Sequence, residues 1–262
     1  MEEISIVIRN KNQATALEFL LSNLSVRYSG DFIEMIVLDN QSTDNSEEIS
    51  TKYGAKFITI ENFSYGGSAN RAGIEAKGNI VIIFSAHAFP ISHDFFKIIK
   101  NSFSGRMDEL AGVRCLHNHN DYRAYLNKTT AEEDYNKAGL IFACSAFNRH
   151  IWLRNPFKDN ILTFEDKEWT KRIVALGFKI EFVPAIFCYH IVRTRAENYF
   201  RFKNETIGSY QLHHTSVTFY KSIKFFLFSI YIQTKSYCLD IFYSCKRLLF
   251  MLKFLLNKPE KF

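Results

Sequence analysis

Four short apolar runs rich in β-branched residues, Ile4–Ile8, Met35–Leu38, Lys56–Ile60 and Ile80–Phe84, are separated from one another by amphipathic, helix-like segments. This alternation constrains the fold more than any other feature. A strand that reads as a continuous apolar run is buried on both faces, and successive parallel strands are joined by right-handed crossovers. The rhythm therefore predicts an α/β domain with a mostly parallel sheet flanked by helices. Ligands of such sheets bind beyond the C-terminal ends of the strands. A chain of 262 residues accommodates one such domain of roughly 200 residues plus an appendage.

After Pro90 the alternation loosens. Leu110–Leu116 and Leu140–Phe147 read as strands on either side of a polar stretch, Asn118–Lys137, and this region is where a second substrate is expected to bind. A helix is expected from about Asp166 to Leu176, ended by Gly177, then a strand Lys179–Val183 stopped by Pro184. From Tyr199 the composition shifts to Phe, Tyr, Leu and Lys. The expected division is a domain over residues 1–198, with halves 1–90 and 91–198, followed by a helical extension over 199–262.

The 26 Phe and 13 Tyr, with charge spread along the chain, exclude disordered and low-complexity classes. The net charge of +6 gathers toward the C-terminus, which points to a local basic surface and away from a nucleic-acid-wide field. Cys115, Cys144, Cys188, Cys238 and Cys245 are odd in number and lack CxxC spacing, so neither a disulfide framework nor a zinc knuckle is indicated, and a reducing compartment is expected. Met1-Glu2-Glu3 runs into a strand without the basic and apolar regions of a leader. Lys or Asp interrupts every C-terminal stretch before the roughly 18 apolar residues of a spanning helix are reached, so any membrane contact is expected to be peripheral.

Several residues are candidates for chemistry. Asp39 ends the second apolar run and so sits at the crevice mouth, where a carboxylate can accept hydrogen bonds from a base or ribose; Ser42, Thr43 and Asp44 beyond it also suit a helix cap. Gly66-Gly67-Ser68 can bring backbone N–H groups to a phosphate or simply form a turn and cap. Ser85-Ala86-His87 follows the fourth run, and His87 there can ligate a metal, donate to a diphosphate or serve structurally. Glu165 and Asp166 open a helix, where acidic residues suit the dipole and where a carboxylate can also take a proton from an acceptor hydroxyl. Glu165, Trp169 and Arg172 share one helical face, so Arg172 is expected to orient Glu165.

In order, Ser5-Ile6-Val7-Ile8-Arg9-Asn10-Lys11-Asn12, Val37-Leu38-Asp39-Asn40-Gln41-Ser42-Thr43-Asp44, Asn70 with Gly73, Ser85-Ala86-His87 with Pro90, and Glu165-Asp166 with Arg172 resemble family 2 glycosyltransferases of the GT-A fold, over about residues 3–192. The resemblance implies that Asp39 contacts the uracil or ribose, that Arg9, Asn70 and Ser85 line the nucleotide pocket, and that Asp166 is the base of an inverting transfer. It places His190 near the diphosphate or metal. The family's Asp-x-Asp metal motif is here Ser85-Ala86-His87, so Mn²⁺ or Mg²⁺ would be held by His87 in place of a carboxylate. The implied partners are a nucleotide-sugar donor, of UDP-galactose or UDP-glucose type, and a lipid-diphosphate-linked saccharide, as in bacterial O-antigen or capsule synthesis on the cytoplasmic face of the cell membrane. A nucleotidyltransferase on the same core, or a non-catalytic scaffold, are the competing readings. Lys221, Lys224, Lys235, Lys246 and Lys253 fall in one narrow sector of a helical wheel amid apolar residues, the pattern of a helix, or a helix pair, lying in a lipid interface; packing on the catalytic domain or on a second subunit is the competing reading.

Overall fold

The computed structural model describes residues 2–159, 161, 163–189, 191 and 193–260. In its first part β1 (Ile4–Asn10), α1 (Ala14–Arg27), β2 (Glu34–Asp39), α2 (Ser46–Lys52), β3 (Lys56–Thr59), α3 (Tyr65–Glu75) and β4 (Ile80–Ser85) alternate as the apolar runs require. The chain continues through β5 (Ala88–Pro90), α4 (Phe95–Phe103), β6 (Leu110–Leu116), α5 (His119–Leu126), α6 (Tyr135–Ala138), β7 (Cys144–Asn148) and α7 (Arg149–Arg154). It closes with α8 (Glu165–Ala175), β8 (Lys179–Tyr189), α9 (Arg195–His213) and α10 (Phe219–Leu256).

The strands form one sheet in the order β3-β2-β1-β4-β7-β6-β8-β5. Pairing is parallel from β3 to β4; β7 runs antiparallel to both its neighbours, and β5 to β8. Two apolar layers cover the sheet. One gathers Ile6, Ile8, Leu20, Leu24, Phe84 and Phe95 under α1 and α4; the other gathers Val7, Ile83, Ala72, Phe147, Trp152 and Trp169 under α3, α7 and α8. Adjacent residues of β1 and β4 thus enter opposite layers, which is why their sequences carry no polar alternation.

Pro184 does not stop a strand. β8 runs through it, and the β6–β8 register slips there, from Arg114 opposite Phe182 to Leu116 opposite Ile186. Proline has no N–H to give to the ladder, and an irregularity is where a sheet tolerates it. The expected strand Leu140–Phe147 is reduced to β7, because residues 141–143 turn toward the strand ends; the Ser85 amide donates to the Ala143 carbonyl at 3.0 Å.

The chain divides into two compact units, Met1–His213 and His214–Phe262. α9 therefore belongs with the sheet, whereas the composition shift had suggested a boundary after residue 198. In the second unit α10 is one unbroken helix of 38 residues, N-capped by the Thr218 side chain, and none of its residues is buried.

α3 meets α7 through Gly73, where an added Cβ would lie 2.7 Å from three ring atoms of Trp152. The indole cannot give way: it is buried and its Nε1–H donates to Asn70 Oδ1 at 2.9 Å. Gly73→Ala is expected to lower stability by about 1–2 kcal/mol, overpacking outweighing the better helix propensity of alanine. The urea midpoint followed by tryptophan fluorescence measures it.

Candidate active site

Three parallel strands end side by side, with Asn10 paired to Asp39 and Arg9 to Ser85. Beyond these ends lies a cleft of about 630 Å³, floored by Arg9, Asn10, Asn40, Ser85 and His87. That volume suits a small-molecule site. Residues 141–143 and 163–167, Tyr189 and Arg193 form further walls, and α9 closes one side with Phe200, Arg201, Asn204 and Glu205.

The Arg9 guanidinium is the centre of the floor. Its Nη1 donates to Glu165 Oε1 at 2.9 Å and to Ser68 Oγ at 3.3 Å, and it lies 5.0 Å from the centroid of Phe142 and 5.7 Å from that of Tyr65. Both members of the ion pair are more than nine-tenths buried, at 9% and 6% side-chain exposure. Nε and Nη2 of Arg9 are buried without a hydrogen bond to any described residue. Burial drives the Glu165 carboxyl above its usual range and Arg9 opposes the shift, while the neighbouring Asp166 adds to it.

Asp166 lines the cleft beside Glu165, and its two oxygens accept from backbone N–H groups, Oδ1 from Lys167 at 2.7 Å and Oδ2 from Phe142 at 3.1 Å. The carboxylate is thereby fixed at the start of α8, where the helix dipole favours it. Lys167 follows it into the wall; burial pulls its amine down to about 8, against the attraction of Asp166, and its Nζ donates to the Gly139 carbonyl at 3.1 Å. His117 also reaches the cleft, its Nδ1 on Asp121 Oδ2 at 2.5 Å and its ring stacked on Phe187. Burial pushes the Asp121 carboxyl up, but the His117 hydrogen bond and the Arg114 guanidinium outweigh it and hold the acid below its ordinary range. Neither Lys167 nor His117 stood out in the sequence, because nothing in a local pattern marks a residue whose partner comes from another element.

Other expected site residues are turned elsewhere. Asp39 is 2% exposed, and Asn10 Nδ2 at 2.8 Å, the Ser42 amide at 2.7 Å and Ser42 Oγ at 2.6 Å already occupy its carboxylate; it shapes the turn and does not line the cleft. Asn70 is also outside the lining: it accepts from Trp152 and from the Phe157 amide, and donates to the Phe157 carbonyl and to Asp159 at 2.6 Å. Arg172 does not orient Glu165. It pairs with Glu168, one turn away at 3.2 Å, and donates to the Pro156 carbonyl. Of the two glycines, Gly67 gives its amide to the Ser64 side chain, which caps α3. His190 lies outside the described residues.

His87 faces the cleft with its Nδ1 2.7 Å from Gln13 Oε1, so that nitrogen carries the proton and Nε2 keeps a lone pair. Burial, and then the Arg193 charge, lower the imidazole to about 4, which keeps it neutral near pH 7. A neutral imidazole is the form that ligates a metal. Between about 4 and the ordinary 6.5 the unfolded chain binds a proton that the folded chain refuses, so the contribution to stability is full above 6.5 and is lost as pH falls toward 4. Urea unfolding across pH 4.5–7, a range set by that shift, is expected to show a steeper gain in stability with pH for the native chain than for His87→Gln. Equal slopes would mean that His87 charges freely in the folded state.

The sequence matches the family described as glycosyl transferase family 2 over residues 5–164. Glycosyltransferase AglE of Haloferax volcanii is 25% identical over 214 residues, an alignment covering 74% of this chain and 68% of AglE. The structure is similar to glucosyl-3-phosphoglycerate synthase from Mycobacterium tuberculosis in complex with Mn²⁺ and UDP-glucose, with a TM-score of 0.61, 17% identity and coverage of 80% of this chain and 78% of that one. It is also similar to the mannosyltransferase PcManGT from Pyrobaculum calidifontis in complex with GDP-mannose and Mn²⁺, with a TM-score of 0.60, 20% identity and coverage of 76% of this chain, though the match spans only 60% of the mannosyltransferase. The family match takes in more than half of the residues and includes the strand ends that floor the cleft, and the architecture agrees with it: the chain is a family 2 glycosyltransferase with the GT-A fold.

Proposed function

We propose that the cleft moves a hexose from a nucleotide sugar, of UDP-galactose or UDP-glucose type, to a hydroxyl of a lipid-diphosphate-linked saccharide, with inversion at the anomeric carbon and Asp166 as the base. The observation that carries this reading is the Asp166 carboxylate itself, presented to the cleft at the first turn of α8 and held by two backbone N–H groups. Those bonds set its direction and leave lone pairs for an incoming hydroxyl. Arg9 neutralises Glu165 beside it, so one of the two adjacent carboxylates is tied down and the other is available for proton transfer. Positioning of donor and acceptor, together with a fixed electrostatic environment at the leaving diphosphate, supplies most of the rate in such reactions.

Among the described residues no group of three or more His, Cys, Asp or Glu could hold a metal ion, so His87 would be a single protein ligand, and a Mn²⁺ or Mg²⁺ ion bound there together with the diphosphate would offset the charge that develops on it. Arg193, hydrogen-bonded to the Tyr189 hydroxyl at 2.8 Å, adds a fixed positive charge near His87 in the same wall. Surface polysaccharide extension on the cytoplasmic face of the membrane remains part of this proposal, and α10 supports only its contact with a membrane surface, which a lipid-linked acceptor requires. No described helix is long and apolar enough to cross a bilayer. α10 exposes apolar and aromatic side chains around its circumference, among them Leu227, Ile230, Phe228 and Phe242, with five lysines along one stripe, an arrangement suited to a lipid interface with anionic headgroups.

Two outcomes are expected. Incubated with a panel of nucleotide sugars and lipid-diphosphate saccharides, the protein releases nucleotide and gives a product of inverted anomeric configuration; Asp166→Asn slows this by about two orders of magnitude or more while nucleotide binding survives. Near-normal turnover of the variant, or a retained configuration, refutes the assignment. In flotation with anionic liposomes the 262-residue chain binds and is released by salt, and a chain ending at His213 stays in the aqueous fraction. Equal behaviour of the two would assign α10 to protein packing.

A further inference from the structure

α9 presents one stripe of side chains to the rest of its unit. Phe200, Asn204 and Gly208 stand at i, i+4 and i+8, each about 40° around the helix from the last. The end of the stripe at Gly208 is a close contact: an added Cβ would lie 2.5 Å from Thr163 Cγ2 and 2.9 Å from Phe164 Cδ2. Only a hydrogen atom fits there.

The residue under that contact is strained. Phe164 precedes α8 with φ at 66°, in the left-handed region, where a bulky side chain costs on the order of 1–3 kcal/mol and persists only if its surroundings hold it. α9 provides part of that hold. Besides Gly208, His213 Nδ1 meets the Tyr135 hydroxyl at 3.0 Å, the two rings stack, and the imidazole tilts against Phe164 with centroids 6.2 Å apart. The separation of α9 from the start of α8 is thus set by contacts that cannot compress.

One and two turns back along the stripe, about 6 and 12 Å from Gly208, Asn204 and Phe200 face the cleft. Phe200 is 58% exposed, and the Asn204 amide is engaged by no other described side chain. Beside them Arg201 is neutralised by Glu205 at 2.6 Å, so the wall is not built for an anion. An aromatic ring that is largely exposed, with the Lys203 ammonium 6.0 Å from its centroid, next to an amide engaged by no other described side chain suits a pyranose, whose C–H face packs on the ring while its hydroxyls exchange hydrogen bonds with a group that both donates and accepts.

We propose that Phe200 and Asn204 form the saccharide subsite of the acceptor, and that Gly208 is the positioning residue that seats them. This rests on the cleft being a glycosyl-transfer site and names the acceptor chemistry of its α9 wall. Saturation-transfer NMR of the 262-residue protein with UDP and the methyl pyranosides of glucose, galactose and mannose tests it. At least one saccharide is expected to bind, with affinity about tenfold weaker in Phe200→Ala and in Asn204→Ala, the scale of one lost ring contact or hydrogen bond. Gly208→Ala is expected to weaken binding by a similar factor of about ten and to lower Tm as other overpacking changes do, and the double variant Gly208→Ala/Thr163→Ser, which deletes the methyl nearest the clash but leaves the Phe164 ring, is expected to regain part of both. Binding of none of the three saccharides, unchanged binding in both cleft variants, or a Gly208→Ala loss that the second change does not partly restore overturns the proposal. Because the readout is binding, it is separate from the transfer assay: nucleotide release without this subsite refutes the subsite alone, and saccharide binding without release from any nucleotide sugar refutes the transfer reading.

Discussion

A guanidinium at the end of the first strand and a carboxylate at the start of α8, 156 residues later, meet at 2.9 Å inside the protein. Everything in the candidate site is arranged around this pair. Strand β1 is held on both sides by parallel neighbours, so Arg9 has a fixed origin; α8 is held by Trp169 and Ile173 in the core, so Glu165 has another. The pair closes the loop between them and, with it, sets Asp166 at the rim. Desolvating two charges is expensive, and a buried ion pair is weak evidence of stability in itself. Removing one partner is another matter, because the survivor is left buried and charged, at a cost of about 3–5 kcal/mol. The interaction therefore makes the site's geometry a condition of folding.

The environments of the two acidic residues diverge for reasons visible in their contacts. Glu165 points to one cation, which itself lies over two aromatic rings; Asp166, one residue along, turns about 100° around the helix and meets backbone N–H groups and the cleft. Both line the cleft, but the roughly 100° between adjacent helix positions gives the two carboxylates different partners. The same geometry explains Lys167, which the next step of rotation carries into the wall near Arg114 and Asp121.

Much of the fold was readable because buried parallel strands leave a strong trace: β1, β2 and β4 are continuous apolar runs, and the register that follows brings Arg9, Asn10 and Ser85 to one edge. The family resemblance pointed to Asp166, which the structure places in the cleft lining. What could not be read depended on competition between partners. Arg172 lies two turns from Glu165 but one turn from Glu168, and the nearer carboxylate takes it. Asp39 stands at a strand end as expected, yet Ser42 is close enough in sequence to bond both of its oxygens and draw it into the turn. α9 was hidden for a different reason. Its inward stripe is a phenylalanine, an amide and a glycine, which carries no apolar period, so the helix read as part of the C-terminal extension.

The slip in β8 has a consequence in parity. Between its pairings with β6 the longer strand gains two residues, so Val183, Ala185 and Phe187 all remain on one face of the sheet, in the core under α4, with Ala185 and Phe187 at no more than 1% exposure. An odd slip would have exchanged the faces, bringing Cys188 in and carrying out Phe187 together with Tyr189, whose ring packs against His87. The strand can therefore vary in length here only by even numbers. Lengthening or shortening this segment by two residues would keep the cleft wall, and a change by one would demand a compensating bulge before the same tyrosine could return to it.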